Sequence, residues 1–136
     1  MSEALVDANV LVRFLTGEPA EMAERANAIL ERGSRGELTL TLTPLVVAEL
    51  VYVLHRVYGW PRALVAERLL ELVATDAMQV LEAPVVEQAL TWYRDVASVH
   101  FPEAYLAALA LLRGHGRVAS FDRDVHRLPG VLVLDR

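Results

Sequence analysis

The sequence contains no cysteine and no lysine, and each absence excludes a class of chemistry. Without cysteine, the chain of 136 residues can form no disulfide, thiolate metal site or cysteine nucleophile. All 13 basic residues are arginine, which excludes a Walker A phosphate loop and Schiff-base catalysis.

Long apolar runs are also missing, although 54% of the residues are hydrophobic. No stretch reaches the roughly 18 apolar residues that a membrane span requires. The opening MSEALVD carries acids where a signal peptide would carry positive charge. These features predict a soluble, cytoplasmic protein with no membrane partner, and the length suits a single domain over residues 1–136.

Positive charge is in short supply, since the net charge is −5 and the pI is about 5.3. A protein that binds nucleic acid through charge alone is usually basic. Any activity on nucleic acid must therefore depend on a local site, such as acids holding divalent cations that reverse the local charge.

Short β-like runs alternate with longer helical segments along the chain. The predicted strands are 3–7, 38–43, 78–82, 117–120 and 131–134. Prolines open most of the intervening helices, and Thr43-Pro44 is a strong helix start. This order predicts an α/β protein, a three-layer α/β/α domain with a central parallel sheet. In such sheets the ligand site lies outside the carboxyl ends of the strands.

Asp7 is the first candidate site residue, because it is a charged residue that ends the predicted strand 3–7. The alternative is that Asp7 is the N-cap of the helix that follows it. Asn9, two residues later, could orient Asp7 or cap the same helix.

Two further acids lie in strongly apolar helices. Glu49 is in PLVVAELVYVL, where an unpaired buried carboxylate would be costly, so it must be solvent-exposed, paired or metal-bound. Glu103 is the second residue of the helix begun by Pro102, where the helix dipole alone would favour an acid.

The fourth acid, Asp122, lies just past the end of the predicted strand 117–120, much as Asp7 lies at the end of the first strand. Its alternative role is a turn or cap. Ser120 could cap or could bind a metal-bound water. Asp124 is a weaker supporting candidate, because a helix-start or surface acid is the simpler interpretation.

Taken together, the four acids suit a hard divalent cation. Mg²⁺ and Mn²⁺ prefer oxygen ligands, and none of the four histidines has a zinc-binding spacing. Two such ions could activate water and stabilise both oxygens of an in-line phosphodiester displacement. A phosphatase acting on small phosphate esters is a weaker alternative.

Four segments, in order, resemble the PIN domain and in particular the VapC-type toxins of bacterial toxin–antitoxin pairs. They are LVDANVLVRFL, TPLVVAELVYVL, FPEAYLAALALLRGHG and VASFDRDVHRLPGV. The resemblance implies an endoribonuclease that uses Mg²⁺ or Mn²⁺ to cleave single-stranded or looped RNA. It also implies a homodimer, and a cognate antitoxin that inserts a segment into the active-site groove.

Position by position, the resemblance assigns the acidic cluster to Asp7, Glu49, Glu103 and Asp122. It assigns polar support to Asn9, Ser120 and Thr43. One residue departs from the family pattern, since the third acid is usually Asp and here is Glu103. This substitution is the feature that favours an alternative function, a catalytically weak or inactive PIN-like module that binds RNA or protein.

Overall fold

Strands and helices alternate along the chain, as the sequence predicts. A computed structural model describes residues 2–136, which divide after Glu82 into two compact units. The first unit contains β1 (Ser2–Leu5), α1 (Ala8–Thr16), α2 (Ala20–Ser34), β2 (Leu38–Leu42), α3 (Pro44–Tyr52), a π-helical turn (Val53–Val57), α4 (Arg62–Val73) and β3 (Gln79–Val80). The second contains α5 (Ala83–Asp95), α6 (Phe101–Leu112), β4 (Arg117–Ala119), a 3-10 turn (Arg123–Arg127) and β5 (Leu132–Leu134).

The first unit is built on a parallel sheet with the strand order β1-β2-β3. Leu5 pairs with Thr41, and the Val6 N–H donates to the Thr41 carbonyl at 3.0 Å. The two strands therefore end at the same level, where the chain turns into α1 and α3. This common end is the carboxyl edge at which the sequence places the candidate site.

The second unit packs α5 against α6 beside a parallel pair, β4 and β5. The Ser120 N–H extends this pairing by donating to the Leu134 carbonyl at 3.0 Å. Helix α6 also contacts β4 and the 3-10 turn. All strand pairs in both units are parallel, so the predicted α/β class with parallel strands is confirmed.

Each unit has an apolar core of fully buried aliphatic side chains. In the first unit this core includes Leu11, Leu42, Val47, Leu50, Leu54, Val65 and Leu69. In the second it includes Val85, Val86, Leu90, Val99 and Val125. Burying each such side chain stabilises the fold by roughly 1.5–3 kcal/mol relative to exposing it, which holds the helices of each unit against its strands.

Several element boundaries differ from the sequence prediction, and the differences at β1, β3 and α3 reach two residues or more. Strand β1 ends at Leu5 instead of Asp7, and β3 is reduced from 78–82 to Gln79–Val80, because only those two residues pair with β2. The predicted helix from Pro44 to about Tyr58 changes to a π-helical turn after Tyr52. A π-helical turn depends on local packing and leaves no simple periodicity in the sequence.

No helix among residues 2–136 is long and apolar enough to cross a membrane.

Candidate active site

Asp7 lies between β1 and α1 and is the N-cap residue of α1. Its Oδ1 accepts a hydrogen bond from the Ala8 N–H at 2.7 Å. The strand-end placement of Asp7 was wrong by two residues, and the alternative role as a helix cap is the one observed. The cap engages one carboxylate oxygen of an exposed side chain, so Asp7 can still bind a cation through the other.

Thr43 occupies the equivalent place after β2. It lies two residues beyond the Leu5–Thr41 pair, as Asp7 does on its own strand, so both residues are at one level of the sheet edge. Its hydroxyl accepts from the Val46 N–H at 3.4 Å, and Pro44 follows at the first helical position. The predicted helix start at Thr43-Pro44 is therefore confirmed.

Glu49 lies in the second turn of α3 and is exposed. The sequence allowed a solvent-exposed, a paired or a metal-bound Glu49, and the structure shows it exposed. Its neighbours one turn away on the same helix are large apolar residues, Leu45 and Tyr52, which are 81% and 62% exposed. No ion pair or hydrogen bond engages the Glu49 carboxylate among residues 2–136, so it is available as a ligand.

Glu103 lies in the first turn of α6 and is half-buried. Its Oε2 is buried and has no hydrogen-bond partner among the described residues. A buried carboxylate oxygen without a donor is costly unless a cation or another donor neutralises it. The helix dipole at the start of α6 offers only part of that compensation. Glu103 therefore fits a bound divalent cation.

Asp122 is the N-cap of the 3-10 turn, and its surroundings are polar. Its Oδ1 accepts from the Asp124 N–H at 2.9 Å, and its own N–H donates to Ser120 Oγ at 3.0 Å. Asp124 lies 3.7 Å from Arg127 Nε, an ion pair within the same turn. Ser120 and Asp124 thus both position Asp122, and Asp124 is the helix-start acid that the sequence favours.

The predicted residues divide between the two units. Asp7, Asn9, Thr43 and Glu49 belong to the first, and Glu103, Ser120, Asp122 and Asp124 to the second. Backbone N–H groups orient two of the acids, Asp7 and Asp122. No group of three or more histidine or acidic side chains that could hold a metal ion occurs within residues 2–136. The assignment of all four acids to one metal site stays a prediction.

Asn9 does not cap α1 and makes no side-chain hydrogen bond to the described residues. It instead lines a groove between α1 and α2, together with Arg13 and Arg25. Sequence reasoning did not single out these arginines. Their spacing in the chain carries no signal, because α1 and α2 bring them together only by packing against each other.

The PIN domain family matches residues 4–131, nearly the whole chain, so this protein belongs to that family. The matched range crosses both units and includes all four candidate acids. PIN domains are generally nucleases, and the chain has the nuclease-type fold of the family. No curated protein matched the chain in a sequence comparison.

Proposed function

We propose that this protein is an endoribonuclease that depends on Mg²⁺ or Mn²⁺ and hydrolyses phosphodiester bonds of RNA. In this proposal Asp7, Glu49, Glu103 and Asp122 hold the metal. Family membership supports the nuclease class, and the carboxylate set supports a hard divalent cation rather than a softer metal.

The observation that carries the metal dependence is the buried Oε2 of Glu103, which has no donor among residues 2–136. The negative charge of a carboxylate in this state is not compensated by any described donor. Several nearby apolar side chains of α6, including Ala104 and Ala107, are fully buried and offer no donor. A divalent cation bound to this oxygen would compensate the charge directly.

When bound, the cation would supply Lewis-acid stabilisation of the phosphate oxygens and lower the pKa of water. The chain itself contributes orientation and charge. The Ala8 and Asp124 N–H groups hold the carboxylates of Asp7 and Asp122, so little reorganisation is needed at either acid. Thr43 fixes the start of α3, the helix that carries Glu49.

The biological role that we propose is the toxin of a cytoplasmic toxin–antitoxin pair of the VapC type. This rests on the four matching segments described above. The same resemblance supports a homodimer and a cognate antitoxin as partners. An acidic site in a chain of net charge −5 would favour an arginine or lysine from the antitoxin segment.

Cleavage of a mixed single-stranded RNA by the purified protein tests the activity. We expect cleavage with Mn²⁺ or Mg²⁺ and none with EDTA, because carboxylates alone supply no positive charge to stabilise the phosphate oxygens or to activate water. Product lengths would be followed by gel electrophoresis. Cleavage that persists in EDTA would contradict the metal dependence, and a monoester substrate would reveal phosphatase activity instead.

A Glu103→Gln variant tests the metal site without relying on activity. We expect saturating Mn²⁺ to raise the melting temperature of the wild-type protein by several degrees, since a ligand at about 100 times its Kd stabilises by about 2.7 kcal/mol. The variant should lose most of that shift. Glu87→Gln, an exposed acid on α5, is the matched control and should keep it. Equal shifts in both variants would exclude Glu103 as a ligand.

A further inference from the structure

A groove of about 250 Å³ runs between α1 and α2, and every charged residue that lines it is an arginine. Its lining consists of Asn9, Val10, Arg13, Met22, Arg25, Ala26 and Ile29. The chain as a whole is acidic, with a net charge of −5, so a groove with two cations and no carboxylate is a local exception. Its composition favours an anionic ligand with an apolar portion.

Several polar groups that line the groove have no hydrogen-bond or ion-pair partner within residues 2–136. Arg25 is exposed and forms no ion pair with residues 2–136, and the Asn9 side chain makes no hydrogen bond with them. Arg13 donates through Nη1 to the Glu18 carbonyl and the Tyr58 hydroxyl, both at 3.4 Å. Its Nε is buried and has no acceptor among the described residues. A buried guanidinium donor without an acceptor indicates a missing partner.

The groove lies close to Asp7 of the candidate site, along helix α1. Asn9 is two residues from Asp7 in the first turn of α1, and Arg13 lies one further turn along, about 6 Å at 1.5 Å per residue. An RNA strand that is bound at Asp7 can therefore continue past Asn9 to the two arginines. Arginine binds phosphate through paired, charge-assisted hydrogen bonds.

We infer that the groove lined by Asn9, Arg13 and Arg25 is a subsite for a backbone phosphate of single-stranded RNA, away from the bond that is cleaved. This inference rests on the proposed ribonuclease function and identifies how an acidic protein gains affinity for RNA. The groove is smaller than the roughly 300–1,000 Å³ pockets that enclose whole small molecules, which suits one segment of a longer strand. Its apolar walls, including Met22 and Ile29, can contact a sugar or base.

Binding of a labelled single-stranded RNA in EDTA, followed by fluorescence anisotropy over a range of salt concentrations, tests the subsite without cleavage. We expect Arg25→Gln to weaken binding about tenfold, as the loss of a charge-assisted hydrogen bond would. The slope of log K against log salt is negative, and its magnitude should fall by about 0.7, the value for one phosphate contact on a single strand. Arg25→Lys should restore much of the affinity through its charge.

Arg32→Gln is the matched control, because it removes the same charge from an exposed position of α2 outside the groove. It should change affinity less than about twofold. If both variants bind RNA alike, or the wild-type protein binds too weakly to measure, the inference is overturned. Equal RNA binding combined with loss of binding to an acidic peptide in Arg25→Gln alone would instead identify a protein-binding groove.

Cleavage kinetics separate this inference from the proposed function. A phosphate contact away from the reacting bond contributes equally to substrate and transition state, so Arg25→Gln should raise KM and leave kcat nearly unchanged. Absence of any cleavage by a protein that binds RNA through Arg25 would refute the nuclease proposal alone. Normal metal-dependent cleavage with an unchanged KM in Arg25→Gln would refute the subsite alone.

Discussion

Replacing Asp7 by Asn is expected to reduce metal-dependent RNA cleavage at least about 100-fold with little loss of stability. A metal contributes several kcal/mol of transition-state stabilisation, and losing about 3 kcal/mol of it corresponds to roughly that factor. Asparagine keeps a carbonyl oxygen that can accept the Ala8 N–H, and it is as good an N-cap residue as aspartate. The variant therefore separates the charge of Asp7 from its structural role.

The measurement is the initial rate of RNA cleavage in Mn²⁺, beside a melting curve for each protein. Asp76→Asn is the matched control, since it makes the same change at an exposed aspartate outside the candidate site. We expect the control to keep wild-type rates. Wild-type cleavage by Asp7→Asn would show that Asp7 does not take part, and a large drop in its melting temperature would show that the cap depends on the charge.

Replacing Gly33 by Ala is expected to destabilise the fold by about 1–2 kcal/mol. A Cβ at this position of α2 would lie 2.2 Å from the Ala77 carbonyl oxygen and 3.2 Å from Leu40 Cδ1. The first neighbour is backbone and cannot rotate away, so the chain before β3 must shift. Overpacking of this kind costs typically 1–3 kcal/mol, more than the gain of up to about 1 kcal/mol that alanine brings to a helix.

Thermal and urea unfolding would measure the effect, and both should show the same sign. Ser34→Ala, the adjacent exposed position in the same helix, isolates the helix-propensity gain without the close approach to Ala77. We expect it to be neutral or slightly stabilising. A Gly33→Ala protein as stable as Ser34→Ala would mean that the 74–78 segment adjusts at little cost.

Local chemistry explains the parts of the fold that could be predicted. Thr43-Pro44 specifies a helix start through one side-chain acceptor and one fixed φ, and the structure has that cap. Alternating β-branched residues identified β2, and its strict pattern needs no knowledge of its neighbours. The regular exchange of strands and helices similarly predicted parallel pairing, because a helical crossover returns the chain in the same direction.

Only part of the candidate site could be predicted from the sequence, because the rest depends on strand pairing and on side-chain packing. The sequence indicated which acids follow strands or begin helices, and the structure places Glu103 in a first turn and Asp122 after β4. It could not decide between the strand-end and cap positions for Asp7, because that depends on where pairing with β2 stops. Whether a carboxylate oxygen is buried without a donor, as at Glu103, depends on every side chain packed around it.

The sequence by itself determined the fold class, the family and the candidate acids, since these depend on short-range patterns and on the order of motifs. Tertiary structure decided the rest. It limited β3 to two residues and placed Gly33 against Ala77. It also brought Arg13 of α1 and Arg25 of α2 to the same groove. Each of these depends on contacts between residues that are distant in the chain, and the packing of helices and strands creates those contacts without leaving a periodic signal in the sequence.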